Sequence, residues 1–153
     1  VEAACTVRRA RDEDAAAVSA VVRRAVRVGN ARDYPPEVIE RVARSFGPAE
    51  MQGFIAQQTV FVASVAGSVV GTASLNGNRV RTVFVAPDMQ GRGIGRQLMQ
   101  AVEQAALADA AAEVMLQATI TAEGFYARLG YVAVREIDDG VERTIVMRRR
   151  LEA

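Results

Sequence analysis

Three glycines at alternate positions, Gly91, Gly93 and Gly95, divide two unlike stretches of chain. Before them stands an apolar run ending in proline, Val83-Phe84-Val85-Ala86-Pro87. After them comes an amphipathic run with neither glycine nor proline until Gly124. The first reads as a strand. The second reads as a helix over residues 93–110 with the stripe Ile94, Leu98, Val102, Ala105 and Ala106. A backbone stripped of Cβ atoms in front of a helix has a specific use. The first helical turn carries unpaired N–H groups and the positive end of the helix dipole, and glycines let an anion approach them. Arg92 and Arg96 add positive charge beside the turn. A phosphate or pyrophosphate is the expected occupant.

Two familiar phosphate loops do not fit. The nucleotide-triphosphate loop needs Gly-Lys-Ser/Thr, and here Gly95 precedes Arg96-Gln97. The dinucleotide fingerprint is G-x-G-x-x-G beside the first strand of a βαβ unit, whereas this spacing is G-x-G-x-G after a hairpin-rich half. A nucleotide-dependent oxidoreductase is therefore a poor match.

The flanking sequence supplies the frame. A short strand at residues 5–10 leads into a helix at 12–28, with Asp12 as N-cap, the stripe Val18, Val21, Val22, Ala25 and Val26, and Gly29-Asn30 at its end. Asp33-Tyr34-Pro35-Pro36 is a turn that opens a second helix at 37–45, which Gly47-Pro48 closes. Three antiparallel strands follow at 59–66, 68–75 and 80–85, with the Asn76-Gly77-Asn78 hairpin signal between the last two. Beyond the glycine loop and its helix lie a buried strand at 113–118 and a short helix at 121–129. Thr121 is the expected cap of that helix, with Gly130 at its C-terminus and Tyr131 just beyond. A last hairpin, 132–137 with 143–148, turns at Asp138-Asp139-Gly140. The expected architecture is a single α/β domain over residues 1–153. It has a central mixed, mostly antiparallel sheet flanked by helices, in the order β-α-α-β-β-β-α-β-α-β-β.

Composition narrows the chemistry. There is no histidine, which excludes Ser–His triads, His-ligated zinc and imidazole acid–base steps, and no metal is expected. A single cysteine, Cys5, cannot form an intramolecular disulfide and suits a reducing compartment. With no secretory signal or membrane-length apolar run, the expected location is cytoplasmic, away from membranes. The net charge of +1 argues against a nucleic-acid partner, and the Arg148-Arg149-Arg150 run reads as the solvated end of a strand or tail.

Gln90-Gly91-Arg92-Gly93-Ile94-Gly95 resembles the Q/R-x-x-G-x-G/A signature of the GNAT acetyltransferase superfamily. Phe125-Tyr126-Ala127-Arg128-Leu129-Gly130-Tyr131 resembles the F-Y-x-x-x-G-F/Y segment near that family's C-terminal end. The order of elements is similar over essentially the whole chain. The resemblance implies transfer of an acetyl group from acetyl-CoA directly to a primary amine. By resemblance, residues Gln90, Gly91, Arg92, Gly93, Ile94 and Gly95, with Arg96, hold the CoA pyrophosphate. The strand residues Val83, Phe84 and Val85 lie along the pantetheine arm, with the backbone of Val83 and Val85 pairing like an added strand. Tyr126 matches the residue that protonates the departing thiolate. Dimers are common among relatives, so a homodimer is one assembly the resemblance implies. A non-catalytic acyl-CoA-binding module of the same fold is the alternative reading.

The chain also departs from the family. Thr119 and Thr121 stand where many relatives carry a cofactor-contacting Asn. Arg79 stands where histone-acetylating relatives carry a glutamate base, and an arginine cannot act as one. Deprotonating a lysine amine of pKa about 10.4 at pH 7 costs about 4.6 kcal/mol, against about 1.4 kcal/mol for an α-amino group near pKa 8. Either Arg79 and Arg81 are plain solvated strand residues, or they face the acceptor, where they would lower an amine's pKa further and pair with a carboxylate. A small acceptor carrying both groups, such as an amino acid, is therefore expected over a peptide lysine. Tyr34, Asp33, Glu37 and Glu40 lie between the first two helices, the segment where relatives bind the acceptor.

Overall fold

The computed structural model describes residues 4–29, 34–140 and 142–152. Strand β1 (Cys5–Arg9) and a 3-10 turn (Asp12–Asp14) lead into three helices, α1 (Ala15–Gly29), α2 (Pro36–Arg44) and α3 (Pro48–Gln57). Strands β2 (Thr59–Val65), β3 (Ser68–Asn76) and β4 (Arg79–Val85) follow, then α4 (Ile94–Ala108), β5 (Glu113–Thr119), α5 (Glu123–Arg128), β6 (Val132–Asp138) and β7 (Arg143–Arg150). Among the described residues the strands form one seven-stranded sheet, ordered β1-β2-β3-β4-β5-β7-β6. Every neighbouring pair is antiparallel except β4 with β5, which is parallel.

The expected order holds with one addition, helix α3. Gly47-Pro48 does not merely stop α2. Gly47 is extended and serves as N-cap, and Pro48 is the first residue of α3, where a missing N–H costs nothing. The Met51 N–H then closes the first turn on the Gly47 carbonyl at 2.9 Å. The expected Asn30 stop and the Asp33 turn residue lie outside the described residues.

The sheet has a core on each face. On one face α4 packs Leu98, Met99 and Val102 against Ala73, Leu75, Val80, Val114, Leu116 and Met147. On the other, α1, α2 and α3 bring Val18, Val22, Val26, Ile39 and Met51 over Val62. Side chains alternate along a strand, so β4 sends Val83 and Val85 to the α4 core and Phe84 to the α1–α3 layer. Leu98 and Met99 are essentially fully buried, and each such side chain contributes about 1.5–3 kcal/mol. That burial clamps α4, and hence its first turn, onto the sheet.

The start of α1 is held by Asp14 rather than by the expected Asp12. The Asp14 carboxylate accepts the Arg11 backbone N–H at 2.7 Å and both terminal nitrogens of Arg8 at 2.7 and 2.9 Å. This ties β1 to α1. The Arg8 contact, aided by the Arg11 N–H, lowers the Asp14 pKa from 3.8 to about 2. A carboxyl whose pKa falls on folding adds stability above its unfolded value, and that stability is lost as pH drops through the folded one. Arg8 is 39% exposed, so solvent screening reduces the gain to roughly 1–2 kcal/mol. Asp14→Asn is accordingly expected to lower stability by about that amount at pH 7 and to flatten the unfolding midpoint between about pH 4 and pH 2, as followed by urea titration. An unchanged acid arm would mean that the pair contributes nothing.

Candidate active site

The parallel neighbours β4 and β5 barely touch. Among the described residues their ladder has one registered pair, Arg79 with Met115, extended by the Met115 N–H to the Asn78 carbonyl at 2.9 Å. Each strand is otherwise well held on its far side, β4 by β3 and β5 by β7 from Glu113 to Thr119. A bulge in the β3–β4 ladder follows at once: Leu75 opposes Val80, Ser74 opposes Thr82, and Arg81 is the extra residue. Bulges sharpen strand twist, and this one sits where β4 leaves β5. The result is a wedge, closed at Arg79 and open toward Val85 and Thr119.

The backbone on the β4 side of the wedge is available. The Ala86 N–H donates to Val70 on the β3 side, and alternate residues turn to alternate edges. Val83 and Val85 therefore direct N–H and C=O into the wedge while their side chains pack in the core. The Val85 carbonyl there accepts the Gln90 amide at 3.4 Å. Phe84 differs. Its backbone faces β3, and its ring meets Phe46 edge-on at 5.7 Å in the α1–α3 layer.

The wedge opens onto the glycine loop, and the three glycines have different reasons to be there. Gly91 and Gly93 have φ of +80° and +79°, a region L side chains rarely adopt, and a Cβ on either would meet nothing within 4 Å. Gly95 has no such φ, but its Cβ would lie 3.0 Å from the Phe125 ring. The first two shape the turn, and the third lets α5 pack close to α4. The Gln97 N–H reaches the Gly93 carbonyl at 3.1 Å, so the N–H groups of Ile94, Gly95 and Arg96 have no helical partner. Among the described residues the first turn of α4 contains no acid, and Arg92 and Arg96 are exposed beside it.

Helix α5 carries Tyr126. Thr121 does not cap α5: the N-cap is Ala122, with no side-chain cap, and the Ala122 N–H donates to the Oγ1 and carbonyl of Thr119 at 3.2 and 3.1 Å. Thr119 is thus at the mouth of the wedge, with its hydroxyl proton still free to donate. At the other end, Gly130 has φ +98°, its N–H donates to Ala127, and the Tyr131 N–H donates to Tyr126. That is a Schellman turn, as the Gly130 position predicts. Tyr126 is 8% exposed and lies edge-on to Phe125 and Tyr131, with ring centroids at 5.0 and 5.9 Å. Burial raises its pKa from 10.0 to about 12, so the phenol is neutral at ordinary pH. Among the described residues its hydroxyl forms no hydrogen bond. The Tyr131 hydroxyl, by contrast, is spent on Glu103 at 2.8 Å.

The remaining candidates are more scattered. Arg79 and Arg81 are exposed near the closed end of the wedge. Arg79 lies six residues, or about 20 Å of strand, from Val85. Tyr34 is half-buried in the α1–α3 layer. Glu40 is not a free base: Arg27 grips both its oxygens at 2.9 and 3.0 Å and lowers its pKa. Glu37 is exposed, and Asp33 lies outside the described residues. The Arg148-Arg149-Arg150 run is the end of a strand, as one of its two readings expects, though only Arg150 is exposed. Its residues belong to β7, and Arg149 donates to the buried Glu103 at 2.6 Å. The sequence reading missed Glu103, because a single acid beside an apolar stripe carries no sign of a buried partner.

A β4–β5 wedge thus leads to a bare helix start, with the Tyr126 phenol on the next helix. The GNAT acetyltransferase domain matches residues 30–147, and the chain belongs to that family. A phosphinothricin N-acetyltransferase from Alcaligenes faecalis is 34% identical over 107 residues. That match covers 63% of this chain, and the chain spans about half (52%) of that relative's length. The crystal structure of a GCN5-related N-acetyltransferase from Rhodopseudomonas palustris aligns with a TM-score of 0.87 at 29% identity, covering 99% of this chain and 98% of that one. The PaiA N-acetyltransferase of Thermoplasma acidophilum, solved with coenzyme A, shares the fold at a TM-score of 0.84 and 17% identity, over 97% and 99% of the two chains. Among the described residues no helix is long and apolar enough to cross a membrane.

Proposed function

We propose that residues 1–153 act as one domain, an acetyl-CoA-dependent N-acetyltransferase for a small amine such as an amino acid. The observation that carries the proposal is the wedge itself, with the Val83 and Val85 backbone turned into it and the bare start of α4 at its mouth. The residues fit acetyl-CoA. Val83 and Val85 would pair with the amide-bearing arm, and the backbone of Gln90, Gly91, Arg92, Gly93, Ile94 and Gly95, with Arg96, would hold the pyrophosphate. Thr119 would contact the cosubstrate from the β5 side. Acetyl-CoA supplies an activated thioester. The amine nitrogen bonds to the acetyl carbon as the carbon–sulfur bond breaks, the amine's surplus proton passes to solvent, and Tyr126 Oη gives its proton to the departing sulfur and takes one back from solvent. Burial raises the Tyr126 pKa to about 12 and so weakens it as an acid, while the same dry surroundings favour a neutral thiol over a free thiolate.

On the acceptor side, Arg79 and Arg81 recruit a carboxylate and Tyr34 lines the approach. The relative named for phosphinothricin supports a small acceptor. A cytoplasmic location, where Cys5 stays reduced, accompanies this reading. The test is an amine panel with detection of released thiol. Free amino acids are expected to exceed lysine-containing peptides in kcat/KM by roughly tenfold or more, because their amines cost about 3 kcal/mol less to deprotonate. Peptide lysines reacting faster would sink the acceptor assignment. A protein that binds acetyl-CoA yet acetylates nothing would sink the enzyme assignment.

A further inference from the structure

A phenol serves as an acid only where it is held. Helix α5 has six residues, too few to be stable alone, so Tyr126 depends on what its helix is fastened to. It is fastened at both ends. Near its start, Phe125 packs against the flat side of Gly95 on α4. At its end, the Schellman turn bonds the Tyr126 carbonyl to the Tyr131 N–H, and the Tyr131 hydroxyl reaches across to Glu103, also on α4. Glu103 is 8% exposed, and its other oxygen takes Arg149 from β7 at 2.6 Å. Gly130 is again required: its φ is +98°, and a Cβ there would stand 3.2 Å from the Arg149 Nε. Three elements thus converge on one buried carboxylate, which none of the proposed chemistry uses. Buried ionic groups are weak evidence for stability, and their best-attested role is fixing register.

We propose that Tyr131 and Glu103 are positioning residues for Tyr126, an inference that rests on the assignment of Tyr126 as the acid. Glu103 lies nine residues after Ile94, about 14 Å along α4. The helix that starts at the phosphate loop therefore also grips the turn behind the phenol. It fixes the separation between the two ends of the site, the phosphate contacts and the proton donor. Arg149 holds the other Glu103 oxygen in place, and the Tyr131 ring, edge-on to Tyr126, transmits the grip.

The experiment is a double-mutant cycle with Tyr131→Phe, which keeps the ring and removes only the hydroxyl. It is made in the wild-type and Tyr126→Phe proteins. Alone, Tyr131→Phe is expected to lower kcat roughly tenfold, less than the 10² that a 1 Å displacement can cost, with acetyl-CoA affinity held within about twofold. In the Tyr126→Phe background it is expected to cost less than about twofold, because no acid remains to misplace. In ligand-free protein, aromatic NMR should show Tyr126 ring flips at least about tenfold faster once the Tyr131 hydroxyl is gone. Equal losses in both backgrounds, or unchanged ring flips, would overturn the proposal. Full activity of Tyr126→Phe alone would instead remove the acid assignment, and the catalytic meaning of the grip with it.

Discussion

Gly93→Glu is expected to abolish acetyl-CoA binding: in titration calorimetry the wild-type protein gives a saturable isotherm, and the variant gives only heats of dilution. Two effects add. Gly93 has φ +79°, where a residue with a Cβ pays about 1–2 kcal/mol. The new carboxylate also lies beside the N–H groups of Ile94, Gly95 and Arg96, where it competes for those donors and repels a pyrophosphate. Together these should exceed about 3 kcal/mol, more than 10² in affinity. A Cβ at Gly93 meets nothing within 4 Å, so the fold should survive, as a thermal melt would show. Gly93→Asn separates the two effects, because asparagine tolerates a left-handed backbone and carries no charge. It is expected to weaken binding by no more than about tenfold. Undiminished binding by Gly93→Glu would place the phosphates elsewhere.

Tyr126→Phe should lower kcat by roughly 10² while leaving acetyl-CoA affinity unchanged, because the lost hydroxyl acts only as the carbon–sulfur bond breaks. Its pH behaviour is a second check. With a folded pKa of about 12, raised by burial above the unfolded 10.0, Tyr126 stays protonated well beyond neutrality. The rise of kcat/KM with pH should therefore report the acceptor amine, and no fall attributable to Tyr126 should begin below about pH 10. The variant should show the same profile at a lower level. The stability contributed by the buried neutral phenol is present below pH 10 and is lost as pH climbs through about 12. A variant with wild-type kcat would leave the departing sulfur to be protonated by water.

Much of this molecule is legible in its sequence because several local signals agree. The glycine loop, the stripe of α4, the Asn-Gly hairpin and the Gly130 stop each depend on a few neighbouring residues, and each appears where its pattern predicts. What escaped depends on tertiary context. Helix α3 was hidden because proline both ends and begins helices, and only packing of Met51 selects the second role. Asp12 and Thr121 are chemically able caps, but Arg8 and the Arg11 N–H draw the first duty to Asp14, and α5 begins after Ala122 without any side-chain cap, the Ala122 N–H being held by Thr119. The single-pair junction of β4 with β5 has no sequence signal, since it is a relation between strands about thirty residues apart. The same holds for Glu103, whose partners come from β7 and from the residue after the Gly130 turn.

The parallel junction also bears on how long the protein survives. Among the described residues, strands β1 to β4 and β5 to β7 are two half-sheets joined by one registered backbone pair, so the seam between them is where local opening should begin. On the proposed function, the arm of acetyl-CoA lies in that seam as a borrowed strand and closes it. Occupancy then adds to stability by mass action, about 2.7 kcal/mol when the ligand stands at 100 times its dissociation constant. Scarcity of the acyl donor would leave the protein both idle and easier for a protease to open.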